Sequence, residues 1–333
     1  MKQPVSKKGR LTSLVIGLVT ALGVTATAGT AMADPNWPNK PVVIIVPFPA
    51  GGGTDAFARP LTTMMNKLTG KQFIIDYRAG AGGTVGAAAA AKATPDGYTF
   101  LMGAVHHAIA PSMYPKLDYD IEKNFVPVAL VAQPPQIIVA NPKLPANDLK
   151  GLIEFAKKNP GKLNFSSAGN GTSHNLAGEQ FKMMTKTFIT HIPYRGAGPA
   201  LTDLMAGQVD LMFDGLGSSS QHIKAGKIKP IAVAAPKRAA AFPNVPTAAE
   251  AGLPGYEVST WYALWAPRGT PQPIVDKMIA EVNRAMATPD IKTIWQNNGS
   301  EVPNLTGEAF GKFVNSEIKR WAEVVKTSGA KLD

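Results

Sequence analysis

Val42-Val43-Ile44-Ile45-Val46-Pro47-Phe48-Pro49-Ala50-Gly51-Gly52-Gly53-Thr54-Asp55 is the stretch that decides the reading of this chain. Five consecutive β-branched residues cannot turn one face to water and the other to a core. Such a run is a strand covered on both faces, as in a parallel sheet. A glycine cluster follows at once, and a helical stretch then continues through residue 68. Strand, glycine loop and helix form the unit of an α/β sheet, whose ligands sit beyond the carboxyl ends of its strands.

Outward from that stretch the unit recurs. Residues 73–77 read as a second strand, leading to the loop 78–83 and an Ala-rich helix that ends near Lys92. Pro95-Asp96-Gly97 turns the chain into a third strand over 98–103. Asn147 is the expected cap of a helix that stops at Pro160-Gly161. Beyond it lie a strand at 163–166 and a loop at 167–172. In the next helix Leu176, Ala177, Phe181 and Met184 recur at helical spacing and should face a core. Further strands are expected at 189–193, 211–213 and 231–235. Pro60 follows Asp55 so closely that the first helix should start late or kink.

Two extended stretches, 126–140 and 256–267, are not followed directly by a glycine loop and helix, and read as crossings between lobes. The expected fold is therefore α/β and two-lobed, each lobe a mostly parallel sheet flanked by helices, with two crossing strands as hinge. On this reading lobe 1 is discontinuous, taking residues 34–132 with 264–333, and lobe 2 takes 133–263. Helices at 273–287 and 306–327 complete lobe 1. Phe310, Phe313, Val314, Trp321, Val324 and Val325 make one apolar stripe on the last of them, expected to be core.

The ends and the composition bound the function. Lys2, Lys7, Lys8 and Arg10 precede an apolar run over 11–29 and the small-residue motif Ala31-Met32-Ala33. Residues 1–33 therefore read as a cleavable signal peptide of the general secretory route, with cleavage before Asp34 and a periplasmic destination. The apolar run is short for a bilayer span and diluted by Thr and Gly, so no stable membrane insertion is expected. Loss of those four basic residues lowers the formal charge from +11 to +7. A spread positive surplus attracts anions, whereas nucleic acid would need a dense Lys/Arg run with interleaved aromatics. Cysteine is absent, which removes disulfides, thiol catalysis and Cys-ligated metal together. With 45 % hydrophobic residues, ordinary burial can stabilise two lobes.

Chemistry is expected where glycine loops feed helix N-termini, since unpaired N–H groups and the positive end of the dipole suit an anion. Three loops qualify: 47–55, 79–84 and 168–174. Glycine lets amides approach a ligand closely, and Thr54, Thr84, Ser167, Thr172 and Ser173 add hydroxyls. Gly51-x-Gly53-x-x-Ala56 with Asp76 matches a relaxed dinucleotide fingerprint, but a lone match is weak evidence and no cofactor is expected. Walker-lysine, nucleophile-elbow and paired-acid patterns are missing. His106 and His107 read as neighbours at a strand end, pointing to opposite faces and unable to share a metal. His174 heads a helix and could donate to a ligand, though a surface histidine near a cap is the commoner case.

Six stretches carry a resemblance: WPNKPVVIIVPFPAGGGTDAFAR (37–59), YRAGAGGTVGA (77–87), ATPDGYTFLMG (93–103), NFSSAGNGTSH (164–174), HIPYRGAGPALTDLMAGQVDLMFD (191–214) and FPNVPTAAEAGLPGYEV (242–258). In order and spacing they resemble the Bug-type, TctC-like periplasmic substrate-binding receptors of tripartite tricarboxylate transporters. The resemblance implies a type II periplasmic binding protein fold, closure on one small organic anion and delivery to membrane permease subunits. The implied ligands are mono-, di- or tricarboxylates, aromatic acids among them. It also implies that amides, hydroxyls and bridging waters of the loops hold the ligand.

Loop and resemblance together nominate Phe48, Ala50, Gly51, Gly52, Thr54 and Asp55 from the first loop, and Gly82 and Gly83 from the second. Ser167, Gly169, Asn170 and Thr172 come from the third, with Tyr194, Arg195 and Asp214 from later strand ends. His107 joins them because a His106-His107 pair stands where such receptors often have small polar residues. Arg195 stands where lysine is frequent, and its guanidinium could grip a second carboxylate. A monomer without metal, nucleic-acid partner or enzymatic activity is expected. The alternative is a sensory binding module that reports the same class of anion to a signalling partner.

Overall fold

The β-branched run is strand β1 (Val42–Val46), buried except at Val43. The computed structural model describes residues 36–328, so the signal peptide and its cleavage site lie outside the described residues. β1 pairs in parallel with β2 (Phe73–Tyr77) and with β3 (Thr99–Ala104). β10 (Tyr262–Pro267) and β4 (Phe125–Ala132) complete this first sheet in the order β2-β1-β3-β10-β4. A second sheet has the order β7-β6-β8-β5-β9. Its strands are β5 (Gln136–Ala140), β6 (Asn164–Ser167), β7 (Thr190–Pro193), β8 (Leu211–Gly215) and β9 (Lys229–Ala234).

Each sheet contains one reversed strand. β10 runs antiparallel to β3 and β4, and β5 runs antiparallel to β8 and β9. Both are the strands that arrive from the other lobe. The parallel strands carry the chain toward the gap between the sheets, so a strand entering from that gap must run away from it. The chain segments that make the two passages lie side by side. Gln136 donates its amide to the Val258 carbonyl at 3.0 Å, and Thr260 to Pro134 at 3.2 Å.

One face of the first sheet is covered by α1 (Gly53–Thr69), α8 (Gln272–Met286) and α9 (Pro289–Asn297), with Phe57 stacked on Tyr262 and edge-on to Trp295. α2 (Thr84–Ala91), α3 (His106–Met113) and α10 (Gly307–Ser328) pack on the other face. Phe310, Val314, Trp321 and Val325 of α10 are buried there, and Phe313 and Val324 pack against them. The second sheet is flanked by α4 (Leu149–Lys158), α5 (Ser173–Thr185), α6 (Ala197–Ala206) and α7 (Leu216–Lys224). Among the described residues no helix is long and apolar enough to cross a membrane.

Three local expectations are corrected. α1 begins at Gly53 and continues past Pro60 to Thr69, so proline sits inside the helix and costs it one backbone bond without delaying its start. The cap of α4 is Asp148, whose carboxylate accepts the Gly151 amide at 2.7 Å. Asn147 instead accepts from Lys229 Nζ at 2.9 Å. His106 and His107 open helix α3; they do not end a strand.

Candidate functional site

The glycine loops at the strand ends meet across the gap between the sheets. A cavity of 360 Å3 lies there, lined from the first lobe by Phe48, Tyr114 and residues 80–83 and from the second by 168–170 and 193–195. Of the sequence-nominated residues it gathers Phe48, Gly82, Gly83, Gly169, Asn170, Tyr194 and Arg195. Arg195 is exposed, is the one charged side chain in the lining, and has no ion pair among the described residues. Tyr194 is fixed by donating its hydroxyl to Asp203 at 2.7 Å. Burial, then that hydrogen bond, pushes its phenol up to about 12.

Beside the cavity the N-terminus of α1 faces that of α6. A Cβ placed on Gly52 would lie 3.5 Å from the Ala197 Cβ and 3.7 Å from the Gly198 nitrogen, and one on Gly198 would collide with the Ala50 carbonyl oxygen. Neither helix has a side-chain cap. α1 therefore offers the N–H groups of Gly53, Thr54 and Asp55, and α6 those of Ala197 and Gly198, with no acceptor inside the helix. Two positive dipole ends thus meet in one place. Ala50, Gly51 and Gly52 belong to this contact and not to the cavity wall, and Thr54 is buried in the first turn of α1.

The remaining nominees hold other groups in place. Asp55, 6 % exposed, accepts from the Gly51 amide at 2.9 Å, from Arg59 at 3.0 Å and from the Tyr77 hydroxyl at 2.5 Å, so it shapes the first loop. Thr172 donates to the Gly169 carbonyl at 2.7 Å and caps α5 by accepting the Asn175 amide. Ser167 accepts the Gly169 amide at 3.0 Å and lies 2.7 Å from His191 Nε2. Asp214 is fully buried and takes the hydroxyls of Ser218 at 2.8 Å and Ser219 at 2.5 Å.

The histidines differ most from expectation. His106, His107 and His174 are all buried, so His174 is no surface residue. About 100° apart on a helix, the first two rings diverge. His107 points to Tyr119 and Trp265 behind Gly83, where burial pushes it down to about 3. His106 points to Phe48, to His174 and to the α5 N-terminus, where Nδ1 accepts the Ser173 amide at 3.1 Å. Burial also lowers His174, opposed by Asp214. His174 Nε2 stands 3.5 Å from Asp214, near enough for charge to act but without hydrogen-bond geometry. The sequence reading passed over His106 and Tyr114 because it assigned no helix after residue 103. A helix start at 106, rather than a strand end, turns the two rings about 100° apart instead of to opposite faces. Among the described residues no cluster of His, Asp and Glu could hold a metal.

A larger cavity, 840 Å3, lies behind the crossings against Gln133, Pro135 and Val258. Volume alone would favour it. Its wall mixes both signs of charge, with Arg238 paired to Glu250 and Arg320 to Glu317, and no strand-end glycine loop reaches it. The smaller cavity has the glycine loops and a cation with no acidic side chain beside it in the wall.

A family model described as the tripartite tricarboxylate transporter family receptor matches residues 57–330. A Bordetella pertussis protein named BugT is 35 % identical over 320 residues, covering 95 % of this chain and 98 % of its own. Among solved structures, an R. palustris protein with adipate is 36 % identical at TM-score 0.86, covering 89 % of this chain and all of its own. Another, from Rhodopseudomonas palustris with bound malate, is 38 % identical at TM-score 0.82, over 87 % of this chain and all of its own.

Proposed function

Because the chain belongs to the tripartite tricarboxylate transporter receptor family, we propose that it is a solute receptor outside the cytoplasmic membrane that closes its lobes on a small organic carboxylate and delivers it to a membrane permease. One observation carries the reading: the cavity between the lobes has a single charged lining side chain, the unpaired cation Arg195. The facing N-termini of α1 and α6 add to it. Like-signed dipole ends repel, so an anion in the adjoining cavity offsets that repulsion and favours the closed arrangement over the open one. Adipate and malate in the solved relatives make a dicarboxylate the first choice. Arg195 would take one carboxylate bidentately, and loop amides near Gly82 and Asn170 the other, with Phe48 and Tyr194 packing the chain between.

Ser167, His191 and Asn175 resemble a nucleophile with a base, but their proton positions oppose that role. Asn175 Oδ1 accepts the Gly171 amide, so its Nδ2 donates to His191 Nδ1 and the imidazole proton sits on Nε2. That proton points at Ser167, whose own hydroxyl donates to Gly169. A ring in this tautomer cannot deprotonate the serine, and Ser167 is fully buried.

The test is calorimetry and thermal shift with adipate and malate. Either acid should raise the melting temperature, and Arg195→Met should weaken adipate at least about tenfold, the loss of one charged hydrogen-bonded pair. If no carboxylate moved the melting temperature, the proposal would fall.

A further inference from the structure

We propose that His106 is a positioning residue of the closed receptor, its Nδ1 on one lobe accepting the first amide of α5 on the other, so that closure requires a neutral imidazole. The inference rests on the reading of the chain as a receptor that closes on a carboxylate. The Ser173 N–H to His106 Nδ1 bond is 3.1 Å long and buried, and it joins elements of different sheets. A ring nitrogen that accepts carries no proton, so the proton of neutral His106 is on Nε2. α3 grips the same loop with its other end. Tyr114, just past the last turn of α3, donates its hydroxyl to the Asn170 carbonyl at 3.0 Å. Gly169 and Asn170 line the cavity, so the two ends of α3 set where that wall stands when the lobes meet.

The surroundings of His106 oppose a positive charge from every side. α5 presents the positive end of its dipole and the ring of His174 at 5.6 Å. The loop after β1 presents Phe48 at 5.1 Å, and α3 itself supplies buried His107. Asp214 on β8 contacts His174 and the hydroxyls of α7, and no carboxylate pairs with His106 among the described residues. Burial, then His174 and His107, holds the His106 pKa well below the usual range. A proton on Nδ1 would also remove the acceptor that Ser173 uses. When the lobes part, the ring regains water and an ordinary pKa near 6.5. The open form then binds more protons than the closed one below that pH, so acid favours opening and weakens the ligand.

The experiment measures adipate and malate affinity at pH 7.5 and 6.0 for the wild type, His106→Asn and His106→Leu. Asparagine keeps an acceptor near the place of Nδ1 but does not titrate; leucine keeps neither. The wild type should lose about fourfold more affinity than His106→Asn over this interval, as a group moving from pKa ~6.5 to a much lower value requires. The ratio cancels the ionisation of the ligand and of His174. His106→Leu should bind about tenfold more weakly at pH 7.5, with most of that loss restored in His106→Asn. Melting with saturating adipate supplies a second arm: between pH 7.5 and 5.5 the liganded wild type should lose more melting temperature than liganded His106→Asn. Parallel pH curves in both measurements, or a leucine variant that binds like the wild type, overturn the role of His106. Failure of both acids to bind overturns the receptor reading, and a larger acid loss of ligand-free melting temperature in the wild type than in His106→Asn would then leave the His106 contact standing.

Discussion

The Tyr77 hydroxyl donates to the buried Asp55 carboxylate at 2.5 Å, and that carboxylate also accepts the Gly51 amide at 2.9 Å. Strand β2 is thereby tied to the first turn of α1 through one side chain. Gly51 has φ +83°, open to glycine and strained for other residues, and its amide is aimed inward at Asp55. The loop is built around a carboxylate that is already satisfied, which keeps that negative charge away from an arriving anion.

Removing the charge should loosen the loop. Asp55→Asn retains size but loses the Arg59 ion pair and weakens the bonds to Gly51 and Tyr77. We expect a loss of about 1–3 kcal/mol in urea unfolding, and less for Tyr77→Phe, which removes the bond to Asp55 and the one from Arg59 but keeps the Asp55–Arg59 ion pair. An Asp55→Asn midpoint equal to that of the wild type would contradict this account.

Gly198→Ala separates helix stability from closure. Alanine is the better helix former by up to about 1 kcal/mol, and Gly198 does not have a positive φ. Its added methyl would meet the Ala50 carbonyl on the opposite lobe. The variant should melt no earlier than the wild type and bind its carboxylate at least about tenfold more weakly, a cost of about 1.4 kcal/mol in closure. Wild-type affinity would show that the lobes need not approach this closely.

Alkaline pH should destabilise the fold in a defined window. Burial first, then hydrogen bonds to Asp55 and Asp203, raise Tyr77 and Tyr194 to about 12 from a usual value of 10.0. Above pH 10 the unfolded chain gives up these protons while the folded chain keeps them. Since ν_U is then smaller than ν_N, stability falls with rising pH until the folded phenols ionise near 12. Urea midpoints taken from pH 9 to 12 should drop, and should drop less steeply in a Tyr77→Phe, Tyr194→Phe double variant.

Tryptophan emission is a poor reporter of closure. All five tryptophans are buried. Trp261 donates to Glu317 at 2.8 Å, and Trp265 packs on Phe310 within the first lobe. Iodide should quench weakly, and equally with and without bound adipate. The radius of gyration in solution scattering is the measurement expected to change. A ligand-dependent change in iodide quenching would mean that closure reaches the α10 core.

Local chemistry explains what the sequence made legible. β1 falls on the residues its β-branched run indicates, because a strand covered on both faces leaves an unbroken apolar record, and β2, an edge strand with Ile74 and Tyr77 exposed, also falls where it is expected. α3 left no such record: Pro111 lies inside it, and its two histidines sit at the start, where a strand end is equally plausible. The loops were legible as loops, but the task of each glycine was not. Gly82 faces Asn170, Gly198 faces Ala50 and Gly83 backs onto His107. Which of these serves a ligand and which a neighbouring backbone depends on how two distant halves dock, and no window of sequence contains that. The same limit applies to Thr172 and Ser167, read as free hydroxyls and found engaged in capping and turn bonds.

The reversed strand of the first sheet fixes an order of assembly. β10 lies between β3 and β4, pairing Leu101 with Trp265 on one side and Val126 with Ala266 on the other. Until residues 262–267 arrive, that sheet exists as two separate pieces, whereas every strand of the second sheet falls between residues 136 and 234. Loop-closure entropy therefore favours the inner lobe as the first to become cooperative, with the outer lobe sealed last by its own middle strand. A chain emerging N-terminus first would hold β1 to β4 unsealed for most of its synthesis. Pulsed hydrogen exchange should accordingly protect the amides of Ile138 and Met212 before that of Leu264, and the reverse order would refute the sequence of events.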